Sequence, residues 1–336
     1  MGHTGRIVGL GAVVLTALLL LSTIYGTTPI PVSDVLAAIG LGTGLTEGEM
    51  SPLHRIVFDL RLPRALFAAV IGAGLGVVGV VLQTTTRNDL ADPFLFGLSS
   101  GAAAGAVLVI TVTGDVLGIW TLPLAAFCGG LIASAIVLAL VQGLRTSAPE
   151  KLILAGLAVS FLFSAITNYL IFAGDSRAAH SVIFWMLGGL GLARWETFPL
   201  VLIGLGLILG YALYRSRWLD ALLTGDFTAA TLGIPVQGLR FRMFFVAALA
   251  TASFVSVAGV IGFVGLMVPH IARGIAGTLH RNLLIASAIV GAILLTLSDI
   301  LSRLLLAPQE LPVGIVTTSI GSLFVFLYLF KSARTD

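Results

Sequence analysis

Ionisable side chains that could do chemistry are few in this chain, and they lie within or beside long apolar segments. Asp299 and Arg303 are four residues apart, so a helix would bring them to the same face, where they can form an ion pair. His270 follows Pro269 inside another apolar segment. A proton relay through a membrane needs several acids and histidines at depth. The scarcity of these groups argues against a proton-coupled mechanism.

The two lysines decide whether the chain could bind a nucleotide. A phosphate-binding P-loop ends in Gly-Lys-Ser/Thr, but Lys151 follows Glu150 and Lys331 follows Phe330. No cluster of His, Cys, Asp and Glu has the spacing of metal ligands, and no nucleophile lies beside a base. The sequence therefore predicts no catalytic site, no metal and no cofactor bound by this chain. If nucleotide energy drives the protein, ATP–Mg is used by a separate ATPase chain.

The elements that position these residues are predicted to be membrane helices. The 336 residues are 58% hydrophobic and only 10% charged, whereas an average soluble domain is about 25% charged. The apolar runs are long rather than short and alternating, which excludes a β-barrel of the porin type. The sequence predicts an all-α polytopic membrane protein with a single transmembrane domain over residues 1–336.

Ten apolar runs are candidates for transmembrane helices, since a span needs about 20 residues with some tolerance for tilt. They cover 7–27, 64–84, 94–112, 121–143, 152–173, 197–214, 241–262, 264–278, 283–303 and 313–330. The segment 241–278 is nearly continuous, and we divide it where Gly259, Gly262 and Gly265 precede Pro269. A single helix there would leave nine spans and put the two termini on opposite sides of the membrane.

The basic residues predict the orientation of these helices. With ten spans and the N-terminus inside, twelve of the 18 basic residues lie on the cytoplasmic side, as the positive-inside rule requires. Both termini are then cytoplasmic. The basic residues are scattered between apolar runs, which favours an orientation signal over nucleic-acid binding. The arginines left outside require a functional explanation; they are Arg55, Arg61, Arg64, Arg177, Arg194 and Arg303.

Two turns on the predicted cytoplasmic side contain helix-start signals. In the turn before Pro93, Asp92 suits an N-cap and the proline suits the first helical position. In the second turn, Ser147 and Glu150 fit a capping box. Ordinary helix starts explain both turns. A gate is the alternative, because polar irregular backbone at membrane depth is tolerated where it lines a water-filled path.

Residues 215–240 form the longest predicted cytoplasmic connection. The pattern predicts two short helices, with Asp226 capping the second and Gly233 ending it in a left-handed conformation. These helices carry apolar residues on a side that faces water, namely Leu222, Leu223, Phe227 and Leu232. An exposed apolar patch of this kind indicates a partner protein, and a helix lying on the lipid surface is the alternative.

Several motifs in chain order resemble the permease subunits of one transporter family. They are Arg61-Leu62-Pro63-Arg64, Gln83, Asn88, Leu90-Ala91-Asp92-Pro93, Gly97-Leu98-Ser99-Ser100-Gly101, Trp185-Met186-Leu187-Gly188-Gly189, the glycine-rich segment 259–266 with Val268-Pro269-His270, and Glu310-Leu311-Pro312-Val313-Gly314. The family comprises the permeases of type II binding-protein-dependent ABC importers for iron-siderophores, haem and vitamin B12. The resemblance extends over about residues 55–330.

The resemblance implies an architecture and a set of partners. It implies ten helices in a vitamin B12 permease-like bundle and a homodimer with the transport path at its interface. The partners would be two cytoplasmic ABC ATPases and one extracytoplasmic substrate-binding protein, in a bacterial cytoplasmic (inner) membrane. The cargo would be a bulky metal chelate, with an iron-siderophore preferred and haem or cobalamin as alternatives. An ion-coupled secondary transporter, which also uses broken helices, is the rival from another class.

The resemblance also assigns roles to residues by position. Docking of the binding protein would use Arg61, Arg64 and Arg303. The cytoplasmic gate would comprise Asn88, Leu90, Thr146 and Ser147. Coupling to the ATPase would use the helices within 219–233, including Leu222, Leu223, Gly225, Asp226, Thr231, Leu232 and Gly233. The chain departs from the family pattern at Asp89, where related sequences have proline, and this places a negative charge beside the expected gate.

Overall fold

The computed structural model describes residues 3–26, 30–33, 35, 52–143, 149–174 and 178–332, and this described part contains helices and no strand. A helical turn, Pro52–Arg55, and a π-helical turn, Ile56–Arg61, precede the second long helix. The helices are α1 His3–Ile24, α2 Leu62–Thr86, α3 Leu98–Leu108, α4 Thr121–Gly143, α5 Pro149–Ala173, α6 Ala178–Met186, α7 Phe198–Tyr214, α8 Ser216–Leu223, α9 Asp226–Thr231, α10 Val236–Ala258, α11 Val264–Ala276, α12 His280–Leu304 and α13 Val313–Ser332.

Each of the ten predicted apolar runs coincides with a helix. Within the described residues, seven helices are long and apolar enough to cross a membrane, and the remaining three are shorter apolar helices. The shorter ones are Leu98–Thr113, Val264–Ala276 and Val313–Tyr328. The all-α membrane fold predicted from composition is therefore confirmed.

The division of the 241–278 segment is confirmed as well. Helix α10 ends at Ala258 and α11 begins at Val264. Gly259 has φ 66° and Phe263 has φ 67°, and both values are outside the range of a right-handed helix. The single-helix alternative is therefore wrong. In contrast, α6 has no counterpart among the predicted runs, because its nine residues are too few for the span criterion.

Helix α2 is the central element of the bundle. It packs against α7, α10, α11 and α12, and nearly all of its side chains from Pro63 to Thr86 are buried. Gly72 of α2 lies directly against the backbone of Gly291 in α12, so a Cβ at either position would meet the carbonyl oxygen of the other. This close backbone contact is the kind of packing that holds helices together where lipid offers no hydrophobic drive.

Three of the motif segments converge at one place in the fold. The N–H of Gly189 donates to the carbonyl of Ala258 at 2.8 Å, and the N–H of Gly314 donates to the carbonyl of Gly188 at 3.3 Å. Gly188 has φ 71° and lies against the carbonyl of Val260, so a larger residue would be both strained and obstructed there. The glycines in these motifs thus have a structural role at a junction of three segments.

Candidate functional site

The two ends of α2 carry the polar groups on which the functional predictions depend. Arg64 lies in its first turn, and Thr86 is its last residue. At 1.5 Å per residue the helix is about 37 Å long, so the two ends are well separated. Side chains predicted to lie outside the membrane meet at the Arg64 end, while Asn88, Leu90 and the coupling segment lie at the Thr86 end.

Five charged residues from three segments form what we call the Arg64 cluster, comprising Arg61, Arg64, Asp299, Arg303 and Glu310. The Nε of Arg64 donates to Oδ1 of Asp299 at 2.8 Å, and its Nη1 donates to Oε2 of Glu310 at 2.7 Å. Nη2 of Arg303 lies 3.0 Å from Oδ2 of Asp299, so the predicted pairing of these two residues is confirmed. The Asp299 side chain is fully buried, at 0% exposure.

The other two arginine side chains of this cluster reach the end of α1. Nη1 of Arg61 donates to the carbonyls of Thr23 and Ile24 at 3.0 and 2.8 Å. Nη1 of Arg303 donates to the carbonyls of Ser22 and Tyr25 at 3.0 and 2.8 Å. The last carbonyls of a helix have no partner within it and carry partial negative charge. The two guanidinium groups therefore satisfy and neutralise the C-terminus of α1.

The three arginines predicted to dock a binding protein also line one cavity. The cavity measures about 420 Å³, and Glu310 and Gly191 are part of its wall. Arg61 and Arg303 are buried, and each of the three arginines is bonded within the chain. Their position against the charge bias thus has a structural explanation, while docking of a partner at this cavity stays a prediction.

The predicted gate turn begins with an unusual helix end. Arg87 follows α2 in the left-handed conformation, with φ 50° and ψ 37°. Its N–H donates to the carbonyl of Thr84 at 3.4 Å, and the N–H of Asn88 donates to the carbonyl of Gln83 at 3.2 Å. This pattern is a Schellman motif, whose left-handed position is usually taken by glycine. Arginine there accepts a local strain, which points to a function for its side chain.

The rest of the gate turn is held by short side chains. Oδ1 of Asn88 accepts from the N–H of Leu90 at 2.9 Å, and the Leu90 side chain is exposed. Asp89 forms an ion pair with Arg273 at 3.2 Å, so the negative charge that departs from the family pattern has a partner. The gate role of Asn88 and Leu90 stays a prediction. Thr146 and Ser147, assigned to the same gate, lie outside the described residues.

Asp92 caps the next helical turn, as predicted. Its Oδ1 accepts from the N–H of Phe94 at 2.9 Å, and Pro93 occupies the first position of the 3₁₀-helix Pro93–Phe96. The second carboxylate oxygen is buried without a hydrogen-bond partner among the described residues. Burial raises the pKa of Asp92 from 3.8 to about 6, and the hydrogen bond from Phe94 only partly opposes this shift.

Asp226 lies between two arginines, and we call these three residues the Asp226 cluster (Arg87, Asp226 and Arg240). Nη1 and Nη2 of Arg240 donate to the two carboxylate oxygens of Asp226 at 2.8 and 2.9 Å. Nη2 of Arg87 lies 2.6 Å from Oδ1 of Asp226. The predicted capping role of Asp226 is wrong: Gly225 occupies the N-cap position, and no side chain caps α9. The carboxylate forms ion pairs with the arginines instead.

A second polar contact joins the coupling segment to α2, and we call it the His280 bridge (Thr84, Asp220 and His280). Oδ1 of Asp220 in α8 accepts from the backbone N–H of His280 at 2.8 Å and lies 2.7 Å from its ring Nδ1. The other ring nitrogen, Nε2, lies 2.8 Å from Oγ1 of Thr84 in α2. His280 and Thr84 are buried, so this contact joins α8, α12 and α2.

Of the four apolar residues predicted to be exposed on the two short helices, three are exposed and one is buried. Leu223, Phe227 and Leu232 are 56%, 83% and 68% exposed, but Leu222 is 1% exposed. The prediction that Leu222 belongs to the exposed face is therefore wrong: its side chain packs in the hydrophobic core, and its carbonyl accepts from Arg87.

The remaining predicted coupling residues shape the ends of the short helices. Gly225 and Gly233 have φ 117° and 81°, so the predicted left-handed stop at Gly233 is confirmed. Oγ1 of Thr231 donates to the carbonyl of Thr228 within α9. A shallow cavity of about 540 Å³ lies beside Asp226 and is lined by Phe227 and Pro235 among other residues.

The arginines and the histidine that tie the coupling segment to α2 are not predicted from the sequence. There, Arg87 and Arg240 serve only as orientation charges, and His280 has no role. Their partners lie 135, 155 and 196 residues away along the chain, and a single sequence carries no direct signal for such pairs. The one available hint is that Asp220 and Asp226 stand in a segment flanked by arginines on both sides.

Comparison with known proteins places these features in a family. The model of the FecCD transport family matches residues 14–332. The chain is 39% identical over 312 residues to the cobalamin import system permease protein BtuC of Halobacterium salinarum, covering 92% of this chain and 81% of that protein. It is 37% identical over 290 residues to a Helicobacter pylori protein named "Probable iron chelatin transport system permease protein", covering 86% of each.

A solved structure shows the same architecture. It is described as an inward-facing conformation of an ABC transporter of the metal-chelate type. It matches with a TM-score of 0.82 and 29% sequence identity, over 97% of this chain and 99% of the other. The family match, the identities and the shared fold agree over nearly the whole chain, which therefore belongs to the FecCD transport family of membrane permeases.

Proposed function

We propose that this chain is the permease subunit of a binding-protein-dependent ABC importer that moves a bulky metal chelate into the cytoplasm. The observation that carries the proposal is the Thr86 end of α2, where a short-helix segment with an exposed apolar face is tied to the predicted gate turn by the Arg87–Asp226 ion pair. A transporter without a P-loop of its own needs such a surface to receive energy from an ATPase. Family membership supports the same conclusion.

The ATPase partner is proposed to bind the coupling segment 215–240. Leu223, Phe227 and Leu232 give it an apolar centre, and large side chains of this kind anchor protein interfaces. ATP–Mg is bound and hydrolysed by that partner and not by this chain. In this arrangement both termini and the coupling segment are cytoplasmic, and the Arg64 cluster faces the opposite side of a cytoplasmic membrane.

The substrate-binding protein is proposed to dock at the Arg64 cluster. An acidic side chain entering the cavity there would meet Arg61, Arg64 and Arg303 together, and arginine–carboxylate pairs are strong and directional. Exchange of Arg61→Glu together with Arg64→Glu should weaken this docking and reduce its salt dependence. Unchanged affinity at low salt would contradict the docking role.

The transport path is proposed to run between two copies of this chain. In a homodimer, the turns at Asn88 and Leu90 of the two copies would meet near the axis. They would form the cytoplasmic gate, and nucleotide binding by the ATPase would shift the dimer between two arrangements.

The cargo is proposed to be an iron-siderophore, with cobalamin as the second candidate. The second candidate is favoured by the relative of Halobacterium salinarum, which is named for cobalamin import and is 39% identical to this chain. Haem is a third chelate of comparable size and is included in the test.

The deciding experiment is uptake into proteoliposomes that contain the permease with its ATPase, supplied with the binding protein outside and ATP inside. Labelled ferric siderophore, cobalamin and haem are offered separately, with ionophores present to remove ion gradients. We expect uptake of one chelate that requires ATP, its hydrolysis and the loaded binding protein. Uptake without ATP that appears when the ionophores are left out and an ion gradient is imposed would indicate a secondary transporter and contradict the proposal. Uptake that does not need the binding protein would contradict it as well.

A further inference from the structure

We propose that Asp226 is a positioning residue that transmits movement of the coupling segment to the gate turn, by holding α9 against Arg87 and Arg240. The inference rests on the proposed function, because it presumes that an ATPase moves α9. It adds a specific connection between the surface that would receive the movement and the turn that would respond to it.

The first half of the connection is Arg240. Its two terminal nitrogens bind both oxygens of Asp226 at 2.8 and 2.9 Å, while its Nε donates to the carbonyl of Thr85 at 2.8 Å. A single guanidinium group thus bridges the first residue of α9 and the last turn of α2. A bidentate pair fixes orientation as well as distance, so α9 cannot tilt away from α2 without breaking these bonds.

The second half of the connection is Arg87, the residue that begins the gate turn. Its Nη2 lies 2.6 Å from Asp226 and also donates to the carbonyl of Leu222 at 3.1 Å. Arg87 has a left-handed backbone, where glycine would normally be preferred. A glycine would remove the strain but also the side chain, so the arginine is explained if its contact with the coupling segment is required.

The geometry leads directly from the connection to the gate residues. Asn88 follows Arg87 in the chain and is held by the same helix end, through its N–H to the carbonyl of Gln83. A displacement of Asp226 therefore pulls on the residue that fixes the start of the turn. The His280 bridge ties α8 to α2 separately. Helix α9 is held by the buried Ala229 and by the ion pairs of Asp226, and only the ion pairs lead to the gate turn.

The surroundings of Asp226 indicate orientation rather than stability as its main contribution. The Asp226 and Arg87 side chains are 43% and 39% exposed, so water screens their ion pair and the pair adds little to folding stability. The Arg240 side chain is 14% exposed and is the less screened partner. Loss of the carboxylate should therefore leave a folded permease whose α9 is loosely oriented.

The test compares variants in the complete importer in proteoliposomes, with chelate imported per ATP hydrolysed as the readout. We expect Asp226→Asn to import about tenfold less chelate per ATP hydrolysed, within the range typical of coupling between sites. Asp226→Glu, which retains the charge, should restore most of the ratio. Arg87→Gln breaks the ion pair between the gate turn and Asp226 and the hydrogen bond to the Leu222 carbonyl, but leaves the Asp226–Arg240 pair intact. It should lower the ratio in the same way.

The matched control is Arg242→Gln, which removes one positive charge close to Arg240. Arg242 is exposed and forms no ion pair with any described residue, so its loss should not change the ratio. A second readout uses Asn88→Cys with Cys128→Ser. Crosslinking between subunits at position 88 should depend on nucleotide in the wild-type background and lose that dependence when Asp226→Asn is added.

Each outcome decides the question. Wild-type import per ATP in both Asp226→Asn and Arg87→Gln would overturn the inference, and so would an equal fall in the Arg242→Gln control. Failure of both variants to fold would also overturn it, because the cluster would then hold the structure and not transmit movement. If the wild-type importer itself shows no ATP-dependent uptake, the proposed function fails first, and this result is distinguishable from normal uptake with normally coupled variants.

Discussion

The two ends of α2 both join arginines to a carboxylate, but in different surroundings. At the Arg64 end, Asp299 is fully buried between Arg64 and Arg303, whose side chains are 13% and 4% exposed. At the Thr86 end, Asp226 is 43% exposed although it has two arginine partners at comparable distances. The carboxylate is therefore desolvated at one end and half-exposed at the other, although Arg240 at the second end is as little exposed as Arg64, at 14% and 13%.

This difference in exposure suggests that the two clusters have different roles, one in holding the fold and the other in transmitting movement. A buried ion pair is costly to disrupt, because the charge left behind has no water and no partner. A half-exposed pair can break and re-form at little cost, which suits a contact that moves during transport. We expect the Arg64 cluster to lock α1, α2 and α12 together and the Asp226 cluster to orient a moving part.

The largest expected effect is at the buried carboxylate. Asp299→Asn keeps the size of the side chain but leaves Arg303 without its anion, and the free energy of unfolding should fall by about 3–5 kcal/mol. The measurement is equilibrium unfolding of the purified permease in detergent. The same exchange at the Thr86 end, Asp226→Asn, is the comparison and should cost less than Asp299→Asn, because water screens the half-exposed carboxylate. Similar losses at both ends would break the distinction between them.

A second prediction tests whether the effect of a carboxylate depends on its burial or on the end of α2 at which it lies, because Asp92 lies at the Thr86 end but is buried. Its pKa is raised from 3.8 to about 6 by desolvation, so the folded protein binds the proton more tightly than the unfolded chain does. The stabilisation by the protonated group is complete below about pH 4 and is lost as the pH rises through 6. Asp92→Asn, which retains an oxygen for the cap, should therefore be more stable than the wild type at neutral pH.

The gain in unfolding free energy of Asp92→Asn over the wild type is limited by the pKa shift of Asp92. At about 1.36 kcal/mol per pKa unit, it amounts to at most about 3 kcal/mol. It should shrink toward zero as the pH is lowered to about 4. Unfolding in detergent across this pH range measures it. A difference that does not depend on pH, or that grows in acid, would contradict burial as the cause of the raised pKa.

The smallest expected effect concerns the surface pair at the gate turn. The Asp89 side chain is 69% exposed, and its contact with Arg273 is 3.2 Å long. Asp89→Asn should change the free energy of unfolding by less than about 0.5 kcal/mol, as for most exposed ion pairs. A loss of unfolding free energy as large as that for Asp299→Asn would show that the contribution of an ion pair does not depend on its exposure. The distinction between the two ends of α2 would then be wrong.

Much of the fold follows from patterns along the sequence. Apolar runs predict the long helices because lipid requires each span to satisfy its own backbone, and the glycines before Pro269 predict the break between α10 and α11. Capping chemistry predicts Asp92, since the signal is confined to neighbouring residues. The stop at Gly233 is predictable for the same reason.

The clusters at the ends of α2 are not predictable in this way, because they depend on contacts between distant segments. The sequence identifies Arg61 and Arg303 as charges on the disfavoured side but does not reveal that they bind the carbonyls at the end of α1. It suggests a cap for Asp226, whereas tertiary contact supplies two arginines that compete for the carboxylate. Leu222 is buried and its neighbour Leu223 is exposed, because packing of the helix turns their side chains in different directions.

The proposed coupling is tested most directly by asking whether the exposed apolar face at the Thr86 end binds the ATPase. Leu223→Asp together with Leu232→Asp should leave a folded, membrane-inserted permease that no longer copurifies with the ATPase or stimulates its hydrolysis. Leu279→Asp, at another exposed leucine of the same end, is the control and should retain the complex. If the double variant keeps its ATPase and its stimulated hydrolysis at wild-type levels, the segment 215–240 does not couple the two proteins, and the proposed function of this surface is wrong.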